Sequence, residues 1–144
     1  MRRLSSRTRL AGVLVVGLLA LAVGVSQGLA GARGSSTAKA PIVYHDDHCG
    51  DSTGTNYTGI ASFSRQGSTL RVGVEMHGMD PGIHHLILYA NPGCANLVDL
   101  GKFKVDASGD GEKVAQTSTF GYKRFFVVVR GPAYDSNSTE VKLG

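Results

Sequence analysis

From Tyr57 onward, apolar and polar residues alternate with a period of two, and turn residues recur every eight to twelve positions. This is the pattern of half-buried β-strands, and no window carries the 3.6-residue stripe of an amphipathic helix. "YTGIASFSR" (57–65) predicts one strand, "QGS" reverses it, and "TLRVGVEMH" returns. In that return Leu70, Val72, Val74 and Met76 share one face, while Arg71, Glu75 and His77 face water. "GMDPG" bends the chain at Pro81 and Gly82. "IHHLILYA" and "KRFFVVVR" are apolar on both faces, as strands in the middle of a sheet must be. "LVDLGKFKVD", the turn "ASGDG", "EKVAQTSTF" and the closing "STEVKLG" complete the set. Seven or eight short strands without an intervening helix predict an all-β fold, an antiparallel Greek-key barrel or sandwich.

The N-terminus follows a different pattern. "MRRLSSRTRL" is rich in arginine, "AGVLVVGLLALAVGV" is apolar, and Gly28 and Ala30 supply small residues at a cleavage site. This is the three-part pattern of a secretory signal peptide over residues 1–30, and the apolar run is shorter than the ~20 residues of a spanning helix. Retention as an N-terminal anchor is the alternative. Residues 31–41, "GARGSSTAKAP", read as a flexible linker, with a single domain over 42–144.

Cleavage changes the electrostatics. Four of the 15 basic residues and none of the 11 acidic ones lie in the first 30, which leaves 11 of each sign. A near-neutral domain offers no general positive face to nucleic acid. After cleavage no membrane span remains, and the expected location is the cell envelope or the medium. That compartment is oxidising, so Cys49 and Cys94 are expected to form a disulfide. The closed loop of 45 residues (94 minus 49) would stabilise the fold by ~3–4 kcal/mol on the chain-entropy model.

The candidate chemistry centres on histidine. "YHDDHCGD" gathers His45, Asp46, Asp47, His48 and Asp51, a donor set suited to copper or zinc, or else a polar loop tethered at Cys49. His84 and His85 are consecutive on a strand and therefore point to opposite faces. One is expected to face the core and bond to backbone. The other is expected to face outward, with His77 as its spatial companion. "DASGDGE" reads as a hairpin turn rather than an EF-hand calcium loop. Nucleophile-elbow, P-loop and dinucleotide motifs are absent.

Three stretches together resemble the copper/zinc superoxide dismutase family: "TLRVGVEMHGMDPGIHHLILYANPGC", "VDLGKFKVDASGDGEKVA" and "KRFFVVVR". "TGIASFSRQGS" is also similar to an early strand of that family. The resemblance implies a superoxide-dismutase-like eight-stranded Greek-key barrel. It aligns His84 with a structural histidine and Asp99 with the zinc-binding aspartate. The copper-binding histidines fall on Ile87, Tyr89 and Val129, and the zinc loop shortens to "ANPGCANL" with no histidine. Aliphatic side chains cannot bind copper, so no dismutase mechanism is available at the family position. The disulfide departs too, because the family pairs its loop cysteine with one near the C-terminus. A looser similarity joins "LGKFKVDASGDG" to the extracytoplasmic sandwich of some membrane-bound anti-sigma factors. Only a short arginine-rich stretch precedes the apolar run here, so signalling by that route is not expected.

These features lead to an exported binding or structural module without an enzyme's machinery, whose partner is a protein or small ligand. Metal handling is the alternative, with His45 and His48 joined by His77, His85 or Asp99 around copper or zinc. A divergent dismutase is the third reading. No cofactor is required by the first.

Overall fold

Alternation along the chain becomes nine strands among the described residues, 35–44 and 56–144, of the computed structural model. All of them belong to the unit Gly31–Gly144. They are β1 (Ser35–Tyr44), β2 (Tyr57–Gln66), β3 (Thr69–Met76), β4 (Gly82–Asn91), β5 (Ala95–Val105), β6 (Gly111–Ser118), β7 (Arg124–Arg130), β8 (Asp135–Ser138) and β9 (Val141–Lys142). The sheet runs β5-β4-β7-β8-β1-β2-β3-β6, with the short β9 added to β7. Every pair is antiparallel.

The two ends of this order, β5 and β6, are joined by the turn at residues 106–110 and pack against each other, so the sheet curls into a nearly closed barrel. No ladder links them among the described residues. Across the seam Lys113 Nζ donates to the Lys102 carbonyl at 3.2 Å, and a lysine on an unpaired edge also discourages pairing with another chain. The turn is held by Asp106, whose carboxylate accepts from Ser108 Oγ at 2.6 Å, Ser108 N at 2.8 Å and Asp110 N at 3.1 Å.

The barrel interior is filled by inward positions of most strands, including Phe63, Leu70, Met76, Leu86, Leu88, Phe125 and Val127. Strands β4 and β7 are the expected buried strands. In β7, Phe125, Val127 and Val129 join this core, while Phe126 and Val128 on the opposite face are also fully buried. Tyr89 of β4 stacks on Phe126 with ring centroids 5.2 Å apart.

The linker expected over 31–41 is strand from Ser35 onward. Its inward positions include Ala38 and Ala40, and alanine contrasts too weakly with serine and threonine for the alternation to stand out. Pairing supplies what side-chain contrast does not, since Ser35 through Val43 lie along β2.

At Gly59, opposite Met76, an added Cβ would overlap the Glu75 carbonyl oxygen of the neighbouring strand. Gly59→Ala is expected to destabilise the fold by ~1–3 kcal/mol in denaturant unfolding. Ile60→Ala, at the next and exposed position, is expected to stay within about 0.5 kcal/mol.

Candidate functional site

Strand β4 carries the paired histidines between β5 and β7, and the strand period sends them to opposite sides. His84 is 1% exposed. Its Nε2–H donates to the Asp80 carbonyl at 2.8 Å, which ties the preceding turn to the strand. That bond places the proton on Nε2 and leaves Nδ1 as a buried acceptor with no hydrogen-bond partner. The ring lies near Phe103, with centroids 5.8 Å apart. On another side is Gly131, where a Cβ would come within 2.8 Å of Nδ1. His84 is thus the inward, backbone-bonded member of the pair.

His85 faces outward, and its Nδ1 lies 3.1 Å from Asp99 Oδ2. A bulge makes the meeting possible. Between the pairs His85–Lys102 and Ile87–Asp99, β5 carries one residue more than β4, with Gly101 at φ 95°. Gly101 N then donates to Asp99 Oδ1 at 2.7 Å. This backbone bond first, and the His85 contact second, hold the Asp99 carboxyl below its usual 3.8.

His77 is exposed just beyond β3, and its Nδ1 lies 2.8 Å from Asp110 Oδ1. The expectation that His77 accompanies His85 is corrected by the strand order. β3 lies between β2 and β6, while β4 lies between β5 and β7, and each imidazole meets its own carboxylate. Beside His77 is an open depression of about 380 Å³ that also takes in Glu75, Asp106, Asp110 and Glu112. Glu75 and Glu112 stand directly opposite each other in the β3–β6 ladder. Among the described residues no group of three or more His, Cys, Asp or Glu side chains is arranged to hold a metal ion.

His45, His48 and Cys49 lie outside the described residues. Cys94 lies in the loop between β4 and β5, and its amide donates to Asn91 Oδ1 at 3.0 Å.

The positions on which the family resemblance places copper ligands are packed. Val129 is in the barrel core, Ile87 is 6% exposed on the opposite face, and Tyr89 is the ring stacked on Phe126. These side chains do not converge on one point, because Val129 and Ile87 belong to opposite sides of the sheet.

The sequence offers Asp99 only as a candidate metal ligand and connects Asp110 with no histidine. The signal for the first is "DLG", whose glycine permits the bulge. For the second there is none in a local window, since the β3–β6 ladder joins segments that two other strands separate.

No family model matches the chain, and no curated protein matches it. Among solved structures it is similar to the Cu/Zn superoxide dismutase from Brucella abortus, at 14% sequence identity and a TM-score of 0.47, over 72% of this chain and 99% of that one.

Two outcomes are expected. Gly131→Ala should cost ~1–3 kcal/mol, and adding His84→Ala should recover part of that loss, so that the double variant falls short of the sum in thermal melts. The second concerns acid. Asp99 and Asp106 both titrate below 3.8 when folded, Asp106 chiefly through the Ser108 hydroxyl. A depressed carboxyl stabilises the fold above its unfolded value and loses that contribution as pH falls through the folded one. The Asp99→Asn, Asp106→Asn double variant should therefore melt below the wild type at pH 7, with the gap closing as pH drops below 3.8.

Proposed function

We propose that this chain is an exported, superoxide-dismutase-like β-domain that acts as a binding or structural module in the cell envelope or medium, without dismutase activity. The observation that carries this reading is the packing at Ile87, Tyr89 and Val129. Copper redox cycling needs several imidazoles around one ion, and those three positions hold aliphatic and aromatic side chains spread over two faces. Export rests on the arginine-rich and apolar N-terminal pattern with its small-residue cleavage site.

In this reading the disulfide joins Cys94 to Cys49, the other cysteine of the chain. It ties the segment bearing His45 and His48 to the loop after β4. The partner is a protein or small ligand that recognises the barrel surface.

The test is metal retention and superoxide removal after equilibration with equimolar copper and zinc and extensive dialysis. Substoichiometric metal, unchanged in a His45→Ala, His48→Ala double variant, together with no superoxide removal beyond that of buffer, is the expected result. Stoichiometric metal lost in that variant would replace the module with a metal-handling protein, and superoxide removal by the loaded chain would restore the enzyme.

A further inference from the structure

The outer face of β1, β2 and β3 is assembled by their register. Thr37, Ser64 and Arg71 stand abreast in one row, and Lys39, Ser62 and Gly73 in the next. The nearest carboxylate along β3 is a further row away, at Glu75. Within the two rows the sheet surface dips into an open depression of about 410 Å³, lined by the hydroxyl residues Thr37, Ser62 and Ser64, by Lys39 and Arg71, and by the apolar Ala38 and Phe63, with no carboxylate.

The two cations here contrast with the two arginines of β7. Arg124 and Arg130 each meet a carboxylate, Glu140 at 3.7 Å and Asp135 at 3.2 Å. Lys39 and Arg71 are both exposed and make no ion pair among the described residues. A near-neutral domain therefore carries a local pair of uncompensated cations, set among short hydroxyls on a rigid sheet.

We propose that this depression binds a tetrahedral oxyanion, the phosphate or sulfate group of an ester. Lys39 and Arg71 would supply the charge, and Thr37 and Ser64 the directed O–H donors. The hydroxyl of Ser62 donates to the Gly73 carbonyl at a long 3.3 Å and can turn to the ligand. Arginine offers parallel N–H groups that match two oxygens of such an anion, and charge-assisted bonds of this kind are the strong ones. A tetrahedral anion presents enough oxygens to engage both cations and the hydroxyls at once. A planar carboxylate, with two, does not. The hydroxyl-bearing strands are held from beneath by Phe63 and Val72 of the core, so the donors are positioned before the ligand arrives. This inference deepens the binding-module reading, and its assay is separate from metal retention, so either can fail alone.

The experiment is a titration of the full chain with inorganic phosphate, sulfate and acetate at constant ionic strength, followed by backbone amide shifts. Saturable shifts confined to residues around 37–39, 62–64 and 71 with phosphate or sulfate, and weakened about tenfold or more in Lys39→Ala and Arg71→Ala, are expected. A response to phosphate alone assigns a phosphate ester, and an equal response to both assigns the tetrahedral oxyanion in general. Lys104→Ala, an exposed cation on β5, should bind as the wild type does. Shifts that grow linearly over the whole surface, saturable binding indifferent to both substitutions, or acetate bound as well as phosphate would each overturn the site.

Discussion

A strand whose side chains are buried on both faces must also satisfy its backbone on both edges, because no water reaches it from any side. Strand β4 meets this demand by lying between β5 and β7, and much of the barrel follows from that placement. Its inward residues Leu86 and Leu88 join the core. Its outward Tyr89 stacks on Phe126 of β7. Because β4 is central, the chain after it must turn back as β5 to cover one edge, and β7 must arrive later to cover the other. The late arrival makes the connection long-range and leaves β5 at the end of the sheet.

The burial of β4 also explains the division of labour between its two histidines. On the inner side an imidazole is tolerated only if its N–H finds an acceptor, and the Asp80 carbonyl supplies one. The ring then occupies space that Gly131 leaves open, so a turn before β4 and a loop after β7 are fitted to each other through one side chain. On the outer side His85 can reach Asp99 only because β5 bulges at a glycine. The two His–Asp pairs on the surface are thus products of separate local geometries, not fragments of one centre.

The halves of the sheet present different outer surfaces. Over β4 and β7 the outward positions Ile87, Phe126 and Val128 are apolar and buried. Over β1, β2 and β3 they include hydroxyls and two cations around a depression, with exposed Ile60 and Glu75 in the next row. The exposed polar side chains of these strands are therefore concentrated in the second half. The first half stabilises the barrel.

Sequence by itself determined the strands whose side chains contrast strongly: Leu70, Val72, Val74 and Met76 against Arg71 and Glu75, and the doubly apolar runs that became β4 and β7. It also determined the opposite facing of His84 and His85, since strand geometry has a period of two whatever the fold. It did not determine β1, where alanine and serine alternate with too little contrast and pairing with β2 supplies the order. Tertiary structure alone decided which carboxylate each exposed histidine meets, because those partners depend on a glycine bulge in one case and on a ladder between distant segments in the other. The same holds for the row of Thr37, Ser64 and Arg71: three residues from three strands become neighbours only through register. Side-chain pattern is a local property and can be read along the chain, whereas a site is a meeting of segments, and that is set by which backbone edges pair.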